Sequence, residues 1–308
     1  MTKRVIKLDE IKKGVDGGYA AFVDACERGY RDKVEAAADA IADAAERAPL
    51  VMLSGPSGSG KTTTANKLRD ALTRRGRNCQ VISMDDYFMT VDLGTHPRDK
   101  DGRIDFESPY CMDIALFNDH LGKLRRGETV EVPHFDFPNQ RRHPSMVCNL
   151  TVPKGGVCIF EGIHALNPLF SDGLGDATQK VYVSARANIT DGGRPVFKGT
   201  WVRLIRRMIR DSNFRGWTPQ RTMEQWASVR RGEKDYISPF NGSADMAVDT
   251  HMAYEVSALR GQAMPMFSDV PDCERAAELR SILPALESLP DVPIEFVPGD
   301  SLLREFIG

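Results

Sequence analysis

Gly55 to Thr62 reads GPSGSGKT, which places glycine, lysine and a hydroxyl at the spacing GxxxxGK[ST]. Each residue type has a task in that pattern. The glycines let the backbone curl so that successive N–H groups turn inward on phosphate oxygens, and the following helix adds its positive N-terminal end. Gly55, Pro56, Ser57, Gly58, Ser59, Gly60, Lys61, Thr62 and Thr63 are therefore candidate contacts to a nucleoside triphosphate. Lys61 would reach the β- and γ-phosphates, and the Thr62 hydroxyl would ligate Mg²⁺.

Phosphoryl transfer needs an oriented nucleophile, a metal and spread positive charge, and little covalent chemistry from the protein. Two carboxylates stand where that would require them. In VISMDDYF, Asp85 and Asp86 follow an apolar run, and ligands bind at the carboxyl ends of strands in open α/β sheets. Asp85 is the candidate to take the proton of a substrate hydroxyl and to hold Mg²⁺ through water; an aspartate pair after a strand can equally serve as a helix cap. In VCIFEGIHALNP, Glu161 ends a second apolar run, a position suited to the metal shell. Arg203, Arg206, Arg207 and Arg210 recur at helical steps of three and four, so most share one face. Crowded like charges repel unless anions offset them, which predicts either polyphosphate or acidic neighbours there. A lid closing over a triphosphate would use such residues on the transferring group.

The elements expected to hold these groups alternate. Apolar runs at 49–54, 79–84, 130–133, 156–160 and 180–184 read as strands, interleaved with helical patterns at 61–75 and 112–126. That alternation predicts an α/β fold, a mostly parallel sheet with helices on both faces. From about Gly18 to Ala48 apolar residues recur at three- and four-residue steps, predicting one long amphipathic helix packed on its neighbour. The expected organisation is an N-terminal helical extension over 1–48, a kinase domain over 49–262 with an Arg-rich lid at about 200–240, and a C-terminal extension over 263–308.

Composition narrows the partners. The 308 residues carry a formal charge of −2 and are 41% hydrophobic, enough for a substantial core and without the basic bias of a nucleic-acid or membrane-surface binder. The six cysteines show no CxxC pair or zinc-ligand spacing and read as reduced thiols of a cytoplasmic protein. No stretch of about 18 apolar residues suggests a membrane span, and the N-terminal charges are followed by no apolar leader segment.

Taken in order, GPSGSGKTT, SMDDYF, RIDFESP, VEVPHFDFPNQRR, FEGIHALNP, RLIRRMIRDSNFRG and WASVRRGEKDYISPF resemble the uridine kinase and phosphoribulokinase family. The similarity runs from about Phe22 to the final LLREFIG. It is nearest to bacterial nucleoside kinases whose longer members carry a threonyl-tRNA synthetase-like N-terminal half, which is lacking here. The resemblance implies a P-loop fold of the nucleoside monophosphate kinase type with a lid, ATP or GTP as donor with Mg²⁺, and a nucleoside 5′-hydroxyl as acceptor. It implies that Asp85 is the catalytic base and that Thr62, Asp85 and Glu161 surround the metal. Phe106 and Glu107 match a ribose-contacting pair, Phe135 an aromatic packed on the base, and Gln225 a base-contacting glutamine. Lys61, Arg207 and Arg210 would act on the transferring group, with Arg206 and Arg215 at the donor and Tyr87, Arg142 and Arg207 at the acceptor.

Three positions depart from the uridine–cytidine kinase pattern: Glu107 in place of Asp, Gln140 near the place of a base-reading His, and Trp217 in place of an Arg. Specificity for a base rests on a few hydrogen bonds, so pyrimidine preference is the part these departures touch. Pantothenate, glycerate or a sugar phosphate is the alternative acceptor, with Arg141 and Arg142 available to a phosphorylated one. A nucleotide switch or RNA-associated ATPase is disfavoured by the missing NKxD motif and the absence of an aromatic-studded basic surface. Relatives are commonly oligomeric, so a homo-oligomer is expected.

Overall fold

Alternation along two strands explains the central layer. In the strand Leu50–Ser54, Val51 and Leu53 enter one core while Leu50 and Met52 enter another, and Ile159 and Val157 divide from Cys158 and Phe160 in the same way. A strand apolar on both sides reads as a continuous hydrophobic run and belongs inside a parallel sheet covered on both faces.

The computed structural model describes residues 5–170 and 173–308; residues 1–4 of the expected N-terminal extension lie outside them. The chain opens with β1 (Val5–Lys7), α1 (Leu8–Asp16), α2 (Tyr19–Ala44), β2 (Leu50–Ser54), α3 (Lys61–Arg74) and β3 (Cys79–Ser83). It continues through α4 (Ile114–Arg125), β4 (Val130–Asp136), β5 (Arg141–Leu150), β6 (Val157–Glu161), β7 (Thr178–Ser184), β8 (Asn188–Asp191) and β9 (Arg194–Phe197). It closes with α5 (Gly199–Arg215), α6 (Pro219–Gly232), β10 (Met246–Asp249), α7 (Glu255–Met266), α8 (Ala276–Arg280), α9 (Ile282–Glu287) and α10 (Arg304–Ile307).

Among the described residues the central sheet is parallel throughout, in the order β10-β7-β2-β6-β3. Its register aligns the strand ends that matter: Glu161 lies opposite Leu53 on one side and Ser83 on the other. The phosphate loop after β2 and the Asp85 turn after β3 therefore flank Glu161.

One expected strand changes place, and two features are added. The run at 130–133 is not a strand of this sheet; as β4 it pairs antiparallel with β5 in a separate ribbon. Its burial alternates, with Glu131 and His134 exposed, which suits a half-solvated hairpin and not a strand covered on both faces. The edge strand that does complete the sheet, β10, is only four residues long and follows a π-helical turn and a 3-10 turn, too short for periodicity to reveal. The arginine-rich stretch is also two helices, because Gly216 takes a left-handed conformation (φ 63°) and Thr218 caps α6 by accepting from Arg221 N–H.

The expected long helix is present as α2. Val23, Tyr30, Val34, Ala38 and Ile41 bury one face against α3 and the sheet, and the Tyr30 hydroxyl lies 2.9 Å from that of Thr64. Before it, β1 joins β8 in a small second sheet, an association of residues 5 and 188 that local sequence cannot announce.

Candidate active site

The loop between β2 and α3 can exist only with glycine at its close approaches. A Cβ at Gly55 would stand 2.0 Å from the Val183 carbonyl oxygen. Gly58 adopts φ +73°, and a Cβ there would meet the Arg203 carbonyl oxygen at 2.6 Å. The result is a curled backbone ending at the N-terminus of a 14-residue helix, whose first amides lack intrahelical partners and face the loop.

Around that loop the structure gathers three carboxylates. Glu161, 8% exposed, accepts a hydrogen bond from the Thr62 hydroxyl at 3.0 Å. Burial pushes its carboxyl up to about 7, with the Lys61 charge opposing and the Asp85 charge reinforcing the shift. Asp85 sits half-buried on the turn after β3, its N–H donating to the Ser83 hydroxyl. Burial raises its carboxyl as well, against the pull of Lys61 and, more weakly, of Arg215 and Arg210, while Asp86 adds to the rise. Glu107, partly buried against Gly232 at the end of α6, is pushed to about 7 by burial, with Arg207 the main opposing charge. Lys61 and Asp85 thus stand within electrostatic reach of both Glu161 and Glu107, Arg210 and Arg215 within reach of Asp85, and Arg207 within reach of Glu107.

Oxygen donors of this kind fit Mg²⁺. Among the described residues no group of three or more His, Cys, Asp or Glu forms a complete cage, which is also how Mg²⁺ is held, by one or two carboxylates together with phosphate oxygens and water. Thr62, Glu161 and Asp85 are the residues that would hold it. Carboxyls raised toward neutrality by desolvation are the groups whose charge a divalent cation would restore.

The elevation of Glu161 has a measurable sign. A carboxyl at about 7 when folded, against an ordinary glutamate value of 4.5, keeps its full stabilising contribution below the unfolded pKa and loses it as pH rises through about 7. Replacing Glu161→Gln, which still offers an oxygen to Thr62, should leave stability near that of the parent at pH 5 and raise it by about 1–3 kcal/mol at pH 8. Urea denaturation at the two pH values checks this, and a difference independent of pH would mean that Glu161 titrates as an ordinary surface acid.

The arginines divide by where they point. Arg207 donates to the Ser57 hydroxyl at 2.8 Å and lies 3.3 Å from Asp211, while Arg210 and Arg215 reach the same Asp211 at 3.0 and 3.2 Å. Three guanidinium groups converge on one fully buried acid, which leaves excess positive charge beside the loop. Arg203 is paired with Glu233 at 2.8 Å and donates to the Ser57 carbonyl at 3.2 Å.

Arg206, expected at the donor, is fully enclosed instead. Its guanidinium, 0% exposed, pairs with Glu255 and donates to the carbonyls of Gly58 and Thr250 at 3.1 and 3.0 Å, so it braces the loop from behind. Tyr87, expected at the acceptor, is likewise drawn into the core. It is buried edge-on to Phe117, with its hydroxyl 3.0 Å from His120 Nδ1. Arg142 holds the Asp85 turn: it bonds Asp113 at 3.1 Å and the Tyr87 and Phe88 carbonyls at 3.3 and 3.4 Å. Phe135 is 5% exposed and packs with Phe88 and Phe137, whereas Phe106 stands out at 47% and Gln225 is exposed on α6.

Sequence reasoning passed over His164, three residues beyond Glu161. Its ring is buried, stacked 6.1 Å from Phe170 and edge-on to Tyr236, and burial lowers its pKa to about 4, so it is neutral. Asp86 also has a defined task, accepting from Phe135 N–H at 3.2 Å and lying 3.0 Å from His134, which docks the β4–β5 ribbon onto the Asp85 turn. The Asp-Asp pair was the signal for the second; nothing in the sequence separated His164 from a core residue.

Residues 50–257 match the phosphoribulokinase / uridine kinase family, about two thirds of the chain. The chain belongs to this family. Among curated relatives, uridine kinase of Macrococcus caseolyticus is 30% identical over 200 residues, covering 65% of this chain and 86% of that one. Uridine kinase of Borreliella burgdorferi strain ZS7 is 29% identical over 203 residues, with 65% and 86% covered. A solved structure from Silicibacter sp. TM1040, provisionally described as a fructose transport system kinase, superposes with TM-score 0.50 at 22% identity, covering 70% of this chain and 98% of that one. That likeness bears on the fold, which is the P-loop kinase fold. As a family member the chain is a kinase of a small-molecule acceptor. Among the described residues no helix is long and apolar enough to cross a membrane.

Proposed function

We propose that this kinase moves the γ-phosphoryl group of ATP or GTP, held with Mg²⁺, to the 5′-hydroxyl of a nucleoside, with uridine or cytidine preferred. The observation that carries the reading is that Asp85 stands beside a glycine-curled loop with Lys61, Arg210 and Arg215 each close enough to pull its carboxyl down against burial. Phosphoryl transfer by positioning and spread charge asks for that set. In this reading residues 49–262 form the kinase unit with its lid at about 200–240.

Asp85 accepts the proton of the attacking hydroxyl as the new P–O bond forms. The bond between the γ-phosphorus and the bridging oxygen breaks, and the leaving nucleoside diphosphate carries the electron pair away. Thr62, Asp85 and Glu161 would hold Mg²⁺, which would supply positive charge against the donor phosphates. Lys61 and the Asp211-centred arginines stabilise the equatorial oxygens, and the amides at the start of α3 hold the remaining phosphates. Phe106, exposed beside the partly buried Glu107, supplies an aromatic edge of the kind a nucleoside packs on, and the exposed Phe137, backed by the buried Phe135, supplies another. Names of relatives at about 30% identity support the nucleoside over other acceptors. A phosphorylated acceptor is less well served, because Arg142 is engaged by Asp113 and two carbonyls.

The test is direct. Purified protein with Mg·ATP or Mg·GTP and a panel of nucleosides, sugars, pantothenate and glycerate should give nucleoside 5′-monophosphate, fastest from uridine or cytidine. A panel in which only a non-nucleoside is phosphorylated overturns the acceptor and leaves the kinase. Cytoplasmic pyrimidine salvage and a homo-oligomeric state complete the proposal.

A further inference from the structure

The terminal LLREFIG has no part in the reaction as described, yet it lies against the phosphate loop. Leu302, Leu303 and Phe306 are buried in the core shared with α3, and Leu302 packs so closely on Gly60 that a Cβ there would come within 2.6 Å of its Cδ1. Arg304 ties the turn down by donating to the carbonyls of Val297, Pro298 and Gly308 at 2.5, 3.1 and 3.0 Å. Asn213, on the arginine helix, donates to the Phe306 carbonyl at 3.2 Å.

These contacts aim the partly buried Glu305 at the first turn of α3. Its Oε2 accepts from the Thr63 hydroxyl at 2.5 Å and from the Thr63 N–H at 3.3 Å. That N–H is one of the helix-start amides without an intrahelical partner, the groups that take donor phosphates in a loop of this pattern. Lys61 and Thr62 serve the β- and γ-phosphates and the metal, which leaves Thr63 for the α-phosphate, next to the donor's nucleoside. A carboxylate and a phosphate compete for one N–H, and two anions at one helix end repel. The negative charge of Glu305 also reaches Glu161, where it adds to the burial that raises that carboxyl.

We propose that Glu305 is a donor-site residue: its carboxylate holds the place of the α-phosphate on Thr63, and a nucleoside triphosphate seats by turning it off that amide. The inference rests on the phosphate-loop reading above. The C-terminal turn thereby sets donor affinity and leaves acceptor affinity alone.

Full-length protein carrying Glu305→Gln or Glu305→Ala tests it by calorimetry with Mg·ATP, with tripolyphosphate and with uridine, alongside melting of each protein without ligand. Both variants should bind Mg·ATP and tripolyphosphate about three- to tenfold more tightly than the parent, with uridine affinity unchanged. A tail that merely supports the fold would weaken binding when cut loose, so the direction separates the two roles. Glu305→Gln keeps the side-chain shape and carries the comparison if Glu305→Ala melts at the assay temperature. Equal or weaker donor binding by a folded variant overturns the proposal alone. No binding of either phosphate compound by parent or variants overturns it together with the donor reading.

Discussion

Asp85→Asn should lower turnover about 10²- to 10⁴-fold while leaving the dissociation constant of Mg·ATP within about twofold of the parent. Asparagine has the same shape and still offers an oxygen to a hydroxyl, but it cannot take the proton. The donor's affinity is built elsewhere, from loop amides, Lys61 and the arginines around Asp211. The carboxyl also stands well placed for the task, since burial raises it above the usual carboxylate range while Lys61 restrains the rise. A base is most effective when its pKa approaches the working pH. Steady-state rates with direct detection of product, set beside calorimetric donor binding, measure both quantities. Near-parental turnover in the variant would remove Asp85 from the chemistry.

The largest effect on stability is expected from Glu255→Gln. Arg206 and Glu255 are both 0% exposed, joined through Nε and, at 2.8 Å, through a second guanidinium nitrogen. Neutralising one partner leaves a guanidinium charge in the interior, at a cost of about 3–5 kcal/mol. Removing both charges, as in Arg206→Met with Glu255→Leu, should recover most of that loss, because a buried pair contributes little net stability over an apolar replacement. The double variant would still bind donor poorly, since the Gly58 and Thr250 carbonyls lose the group that braces them. Urea denaturation of the parent, single and double variants gives the comparison. A single variant as stable as the parent would mean that water or another acid reaches Arg206.

Much of this was legible in the sequence because the signals were local. The GPSGSGKT loop, the strand before it and the helix after it stand within one stretch of chain, and β2, α3, β3 and β6 occur where periodicity and turn residues put them. Strand ends carrying Asp85 and Glu161 followed from the same logic. Direction was harder. Arginines at steps of three and four place most of the group on one charged face, but Arg206 lies on the side of α5 turned toward Thr250 and Glu255, residues more than forty positions away. Tyr87 was drawn to the core by Phe117 and His120, contacts of separation about thirty that no local pattern encodes. The ribbon β4–β5 carried the alternation of a hairpin, and its sequence could have been read so had Glu131 and His134 been weighed against Val130 and Val132.

The arginine helix has a mechanical consequence. Arg203 grips the Ser57 carbonyl and Arg206 the Gly58 carbonyl, so the first turns of α5 are riveted to the outer wall of the phosphate loop. The loop and the root of that helix are therefore a single clamped unit, whose spacing these two guanidinium grips set.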